Sequence, residues 1–187
     1  RGAGNFRLNL DLHRAGGLWL WGILLIVATS GVAMNLPDQV FRPVVSLFSP
    51  LKPSLEEIGA KRLTANPKPA KLTFDDAIAR ARQESAKHHW RITPQYVFRF
   101  AAYSAYGVGF TRAGEDARTG LGASYYYFDD RNGRLLTADI MGQGSAGDVY
   151  AQAQYQLHTG RILGLPGRIL IFLTGLVVAM LSLTGIY

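Results

Sequence analysis

Two long apolar segments, one near each end of the chain, dominate the hydropathy pattern. Residues 15–36 and 169–187 carry no charged side chain and run for about 22 and about 19 residues. Roughly 20 apolar residues, at about 1.5 Å each, cross a hydrocarbon core of about 30 Å. The first segment lacks the small-residue cleavage site of a signal peptide. Both segments are therefore predicted transmembrane helices, and two consecutive spans must run antiparallel.

The residues between these segments show one helical pattern followed by several strand patterns. The sequence TFDD at residues 73–76 indicates a capping box. An apolar stripe at helical spacing, running to about residue 87, contains Phe74, Ile78 and Ala81. Four segments rich in tyrosine, phenylalanine and valine are predicted strands: 95–102, 105–112, 123–128 and 134–139. The dipeptide Asn132-Gly133 indicates a hairpin between the last two strands.

Together these patterns predict a membrane α-helical plus α+β protein. Two antiparallel transmembrane helices would flank a small domain made of a helix and an antiparallel sheet. The predicted segments are 1–37 (helix A with its inner flank), 38–70 (exit segment and linker), 71–150 (the α+β domain) and 151–187 (helix B). The sequence NPKP at residues 66–69 favours an extended linker, because the residue before a proline is pushed toward extended backbone.

Charge and composition narrow the possible partners. The formal net charge is +7 and the pI is about 9.9, but the basic residues are scattered and much of the chain is apolar. We therefore expect the lipid bilayer and anionic ligands as partners, and no nucleic acid. The sequence has no cysteine, which excludes disulfides, iron–sulfur clusters and c-type haem attachment within it. The basic first flank predicts an inner amino end, with residues 38–155 outside.

One histidine precedes each apolar segment. His13 stands before the first and His158 before the second. An ionisable, metal-competent side chain at such a place is costly without a partner, so each is a candidate functional residue. Because the spans are antiparallel, the two rings belong to opposite leaflets and cannot bind the same iron. Two interpretations stay open for each histidine: a haem or metal ligand, or an interfacial polar residue.

Small and basic residues accompany both histidines. Gly16 and Gly17 share a helix face with the first histidine, which would let a flat macrocycle approach the backbone. The same small residues also allow helices to pack closely without a cofactor. Three arginines lie close to the histidines: Arg14, Arg161 and Arg168. They could pair with propionates or another anion, or they could extend toward lipid phosphates.

Other candidate sites have simpler explanations. His88 and His89 follow the predicted soluble helix, where an imidazole complements the helix dipole. The sequence DRNG at residues 130–133 lacks the glutamate that would complete a calcium loop, so it is interpreted as a turn. The tyrosines at 125–127 alternate faces of a strand, with core on one side and a possible ligand surface on the other.

Three sequence blocks resemble the PepSY-associated transmembrane proteins. They are LHRAGGLW at residues 12–19, YYFDDRNGRLL at 126–136 and LHTGRILGLPGR at 157–168. Their order covers nearly the whole chain. The chain is similar to the carboxyl-terminal half of such a protein, whose fuller form carries four membrane helices and two periplasmic PepSY-like regions. The resemblance implies that the central domain, residues 71–150, is a periplasmic PepSY-like domain.

The resemblance also implies a function. Similar members include FoxB-like ferric-siderophore reductases of the bacterial inner (cytoplasmic) membrane, which bind haem b. By that resemblance His13 and His158 would be axial ligands of two haems, with Gly17, Arg14, Arg161 and Arg168 beside them.

The second axial ligands would then come from a missing amino-terminal helix pair or a second subunit. Electrons from an unknown inner donor would reduce iron(III) to iron(II) in a ferric siderophore at the periplasmic side. The alternative expectation is a non-enzymatic, membrane-tethered PepSY module with a binding or regulatory role.

Overall fold

The computed structural model describes residues 2–63 and 68–185. In this part of the chain the helices are α1 (Gly2–Asn35), α2 (Arg42–Ser46), α3 (Leu55–Ala60), α4 (Phe74–Ala86), α5 (Ala146–His158) and α6 (Gly164–Thr184). The strands are β1 (Ile92–Phe100), β2 (Ala105–Arg112), β3 (Ser124–Asp129) and β4 (Leu135–Asp139). The chain divides into two compact units, Arg1–Val44 with Ala153–Tyr187 and Val45–Gln152. Part of the predicted linker 66–69 and residues 186–187 of predicted helix B lie outside the described residues.

The first unit contains the two long apolar helices. Within the described residues, Arg7–Asn35 and Arg161–Thr184 are long and apolar enough to cross a membrane. They pack through small side chains: a Cβ added to Gly16 of α1 would lie 3.2 Å from the Leu181 side chain of α6. Gly16 contacts the end of α6 while later residues of α1 contact earlier parts of the chain, so the two helices are antiparallel, as predicted.

The segment predicted as one helix over 151–187 is divided in the structure. Helix α5 ends at His158, and Gly160 follows with φ 71°, a left-handed conformation that glycine adopts without strain. A 3₁₀ turn, Arg161–Leu163, leads into α6. Pro166 lies in the first turn of α6, where its missing N–H leaves no helical bond unmade. His158 therefore closes one helix rather than opening the spanning helix.

The second unit is built on one antiparallel sheet with strand order β1-β2-β3-β4. Helix α4 packs against one face of it. The buried core contains Ala77, Ala81, Tyr106, Val108, Phe110, Tyr126, Phe128 and Ile140. The buried side of α4 is Ala77, Ala81 and Ser85, whereas Phe74 is 50% exposed. Of the predicted stripe, Ala81 is therefore buried and Ile78 half-buried, whereas Phe74 lies at the margin, with its ring centroid 5.2 Å from that of Tyr106.

The structure confirms the capping box and the strand that the sequence predicts at the start of the second unit's fold. The predicted capping box is present, with the Thr73 hydroxyl accepting from the Asp76 N–H and the Asp76 carboxylate accepting from the Thr73 N–H. Strand β1 begins at Ile92, before the predicted start at 95. It is an edge strand with a bulge after Pro94, and an edge tolerates a proline that lacks an N–H.

The β3–β4 turn is held by carboxylates, which confirms the turn interpretation of residues 130–133. The Asp129 carboxylate accepts backbone N–H groups of Arg131 and Asn132, and it pairs with the Arg62 guanidinium at 2.6 Å. Burial would raise the pKa of Asp129, but these hydrogen bonds and the guanidinium lower it below its ordinary value. Asp130 is fully buried and pairs with Arg99 at 2.7 Å.

Candidate functional site

His158 is anchored through one ring nitrogen to helix α1. Its Nδ1 lies 3.0 Å from the Ser30 hydroxyl oxygen and 3.2 Å from the Val27 carbonyl oxygen. A carbonyl oxygen can only accept a hydrogen bond, so Nδ1 must carry the hydrogen. The Ser30 hydroxyl donates its own hydrogen back to the Ile26 carbonyl at 2.7 Å, so it too accepts from Nδ1. The ring is thereby held in the tautomer whose Nε2 has a free lone pair.

His13 is anchored in the same way to the end of helix α6. Its Nδ1 lies 3.0 Å from the Thr184 hydroxyl oxygen. That hydroxyl also lies 2.9 Å from the Met180 carbonyl oxygen, and when it donates its hydrogen there it accepts from Nδ1. Asn9 adds a hydrogen bond from its amide to the Thr184 carbonyl at 3.1 Å. In that arrangement Nε2 of His13 is the nitrogen with the free lone pair.

Both imidazoles therefore present the nitrogen that a metal would bind. Neither Nε2 has a hydrogen-bond partner among residues 2–63 and 68–185. Metal-ligating histidines nearly always donate the other ring N–H to an acceptor, which fixes the ring and raises the basicity of the ligand nitrogen. The arrangement fits a metal whose remaining ligands are supplied from elsewhere.

The two anchored rings lie at opposite ends of the helix pair. His13 is on the first half of α1, and Ser30, which holds His158, is near its carboxyl end. At a rise of about 1.5 Å per residue, the two positions on α1 are separated by about 25 Å. This distance is close to the thickness of a hydrocarbon core, so a single iron cannot bind both rings.

Two glycines leave space beside the rings and a third does not. A Cβ added to Gly17 would meet no atom within 4 Å, so the backbone beside His13 is open on that side. A Cβ on Gly31 would meet only the Cε1 of His158, at 3.9 Å. Gly16 is used instead for helix packing. The open faces at Gly17 and Gly31 are compatible with a flat group approaching the helix.

The predicted arginines differ in their surroundings. Arg14 and Arg168 are exposed, and their side chains have no hydrogen bond or ion pair within the described ranges. Arg161 is half-buried, and its guanidinium lies over the Tyr155 ring, 5.7 Å from the centroid. All three cations remain available to a carboxylate near the ends of the helices.

The other histidines and acidic side chains in the described part of the chain do not form a metal site. No three His, Cys, Asp or Glu side chains come together there in a way that could hold a metal ion. His88 stacks on Trp90 at a centroid distance of 4.7 Å, close to the carboxyl end of α4. Tyr126 is buried in the core, as predicted for one side of the 125–127 run.

Sequence reasoning missed the acceptors of both histidines. Ser30, Thr184 and the Val27 carbonyl lie far from their partners in the chain. Serine and threonine in apolar helices commonly bond to the preceding turn, as Thr29, Thr174 and Ser182 also do here. The sequence therefore does not distinguish Ser30 and Thr184, whose hydroxyls also contact a histidine, from the other serines and threonines of these helices.

Comparison with known protein families shows to which family the chain belongs. The family model described as the PepSY-associated TM region matches residues 1–187. The chain belongs to this family. No curated protein matches the chain. Membership in the PepSY-associated transmembrane family, together with the two apolar helices, makes it a membrane protein with a small α+β domain between its spans, and the predicted family and fold class are confirmed.

Proposed function

We propose that this protein transfers electrons within the membrane and binds two b-type haems. His13 and His158 would each supply one axial ligand through Nε2. The observation that carries the proposal is the shared anchoring of Nδ1, to Thr184 in one case and to Ser30 and Val27 in the other. Haem iron would supply a reversible one-electron carrier at each end of the helix pair.

The surrounding residues would then have distinct roles. Gly17 and Gly31 leave room for a macrocycle beside the helix backbone. Arg14, Arg161 and Arg168 are cations that would pair with haem propionates, which are otherwise costly to bring to an apolar site. The hydroxyls of Ser30 and Thr184 hold each ring in the ligand tautomer.

The proposed reaction is the reduction of a ferric siderophore, iron(III) to iron(II), at the periplasmic side of the bacterial inner membrane. One electron from an inner donor would pass the His13 end, then the His158 end, and reach the chelate. The central domain would lie in the periplasm. A missing amino-terminal helix pair or a second subunit would supply the second axial ligands. Iron(II) fits the hard oxygen ligands of a siderophore less well than iron(III), so reduction would favour release.

The test is the visible absorption spectrum of the protein purified together with the helices that would supply the second axial ligands. We expect a Soret band, and His13→Ala and His158→Ala should each remove about half of the haem. His88→Ala is the matched control, because His88 is an exposed histidine of the second unit. A preparation without a Soret band contradicts haem binding.

A second function is favoured by the same hydrogen bonds. Each histidine already joins the ends of α1 to another part of the first unit, which is sufficient for a structural role. The protein would then be a membrane-tethered PepSY module that binds or regulates a partner without catalysis. In that case His13→Ala and His158→Ala would lower the unfolding temperature of a colourless protein, and reductase activity would be absent from the wild type.

A further inference from the structure

A polar cleft in the second unit has no part in the proposed haem function. It lies between α4 and the β3–β4 hairpin and has a volume of about 400 Å³. Its lining consists of Arg80, Gln83, Glu84, Lys87, Phe128, Gly133, Arg134 and Leu135. Volumes of this size are typical of sites for small ligands. Three cations against one carboxylate give the lining a net positive charge.

The Arg80 side chain is held in position by the hairpin. Its Nη1 donates to the Gly133 carbonyl at 3.3 Å, and a Cβ at Gly133 would lie only 2.1 Å from its Nε. Gly133 also has φ 71°, so any other residue there would be strained and would displace the guanidinium. The Asp76 carboxylate interacts with Arg80 from the preceding turn of α4. A guanidinium that is positioned in advance loses little conformational entropy when it binds an anion.

The other two cations differ in how far they are neutralised. The Arg134 side chain is exposed and has no ion pair or hydrogen bond among the described residues. Lys87 pairs with Glu84 at 2.5 Å, and its side chain is 66% exposed. The Glu84 side chain is 18% exposed, but the lysine end of the pair is in contact with solvent, so Lys87 can turn to another anion at small cost.

The positions of the cations favour a ligand with more than one acidic group. Arg80 lies in α4 and Lys87 is its C-cap residue two turns farther on, so about 10 Å along the helix axis separates their backbone positions. An anion with several carboxylates can place one at each cation, and planar carboxylates match the guanidinium fork in a bidentate manner. The apolar side chains of Phe128 and Leu135 suit a carbon skeleton between the charges.

We propose that this cleft binds a small polycarboxylate, with Arg80 and Lys87 each holding one carboxylate and Arg134 adding charge at the hairpin. The site is independent of haem binding. Glu84 opposes the ligand, because its carboxylate faces the same cleft. Removal of the Glu84 charge should therefore tighten binding, an effect opposite in sign to the loss of an arginine.

The experiment is isothermal titration calorimetry on the full chain in nanodiscs of neutral lipid. The probes are citrate, acetate and inorganic phosphate. We expect citrate to bind more tightly than either of the others. Arg80→Gln with Arg134→Gln should weaken citrate binding by about tenfold or more. Glu84→Gln should strengthen it by about twofold to fivefold.

The matched control is the pair Arg82→Gln with Arg131→Gln. Arg82 is exposed on the same helix and Arg131 on the same hairpin, and neither lines the cleft. The control should bind citrate as the wild type does. The proposal is overturned if citrate does not bind at millimolar concentration or if phosphate binds as tightly as citrate. It is also overturned if the control loses as much citrate affinity as Arg80→Gln with Arg134→Gln, or if Glu84→Gln binds citrate more weakly than the wild type. The single variant Arg134→Gln keeps the hydrogen bond between Arg80 and the turn, so it should fold as the wild type does. A partial loss of citrate affinity in this variant supports the site.

Discussion

Nδ1 of His158 lies 3.0 Å from the hydroxyl oxygen of Ser30, although 128 residues separate the two in the chain. His13 and Thr184, which are 171 residues apart, repeat this contact at the other end of the helix pair. In both contacts the hydroxyl is also within hydrogen-bond distance of a carbonyl in the preceding turn of its own helix, and a hydroxyl that donates there accepts the imidazole N–H. The same imidazole–hydroxyl contact therefore orients both rings, and it joins α1 to another helix at each end of the first unit.

If His158 binds haem as proposed, Ser30→Ala should change the midpoint potential of that haem while His158 remains its ligand. The Val27 carbonyl would remain as an acceptor for Nδ1, so the ring should keep its tautomer. A weaker hydrogen bond to Nδ1 makes the ligand nitrogen less basic, and a less basic ligand stabilises iron(III) less. The midpoint potential of that haem should therefore rise by tens of millivolts. About 59 mV corresponds to a tenfold change in the equilibrium constant of a one-electron couple. Redox titration followed by absorbance measures the shift. Thr29→Ala, which removes a neighbouring hydroxyl with no contact to His158, should leave both potentials unchanged.

If His13 also binds haem as proposed, Thr184→Val should affect that site more severely. The valine keeps the shape of the side chain but removes the hydroxyl oxygen that accepts from Nδ1. Loss of such a partner typically costs about 10–100-fold in metal affinity, so the haem at His13 should dissociate more readily while the other is retained. Transfer of haem to apomyoglobin measures the two rates. The matched variant is Ser182→Ala, whose hydroxyl bonds only to its own helix, and equal rates in the two variants would contradict the role of Thr184.

On the proposed haem-binding function, Gly17→Leu should block haem binding at the His13 end. A side chain at Gly17 meets no protein atom within 4 Å, so leucine can be accommodated in a protein without haem. It would occupy the space beside His13 that a macrocycle needs, and the haem content should fall to about half. Gly22 is equally open and lies farther along α1, so Gly22→Leu is the control and should keep both haems. The pyridine haemochrome assay gives the stoichiometry, and full haem content in Gly17→Leu would place any haem elsewhere.

Asp129→Asn should destabilise the second unit by about 1–3 kcal/mol at neutral pH. The variant loses the charge that pairs with Arg62 and that accepts two backbone N–H groups of the turn. The folded state lowers the pKa of Asp129 below its ordinary value of 3.8. Its stabilisation is therefore complete above that value and is lost as the pH falls through the lower folded-state pKa.

Urea unfolding followed by near-ultraviolet circular dichroism, at several pH values, measures this difference. The wild type and Asp129→Asn should converge in stability at acid pH. Asp116→Asn is the control, because the Asp116–Arg118 pair is exposed and should contribute little. A constant difference between the wild type and Asp129→Asn from neutral to acid pH would show that the carboxylate charge is not the cause.

Local sequence signals account for most elements of the second unit. The capping box, the strands and the hairpin depend on residues a few positions apart, so a pattern in the sequence is sufficient to place them. The buried face of α4 is an exception. Phe74 is the most apolar residue near its start, yet the sheet packs on the small side of Ala77 and Ala81, where the helix can approach closely.

The division between α5 and α6 also had a local signal. Gly160 follows His158 by two residues, which is the usual place for a left-handed glycine after a helix. The apolar segment at residues 169–187 predicts the span but does not indicate that the preceding helix ends at His158. Hydropathy identifies a span but does not report where a helix turns, since a glycine turn changes the mean hydropathy very little.

The sequence by itself determined the two apolar spans, their antiparallel order, the α+β domain between them and the two histidines at opposite ends of the pair. Length and periodicity are sufficient for those conclusions because they reflect the backbone and the thickness of the membrane. Only the tertiary structure decided which nitrogen each histidine leaves free, because the acceptors come from helix residues more than a hundred positions away. Hydrogen-bond direction is a property of atoms brought together by packing, and no spacing along the chain encodes it.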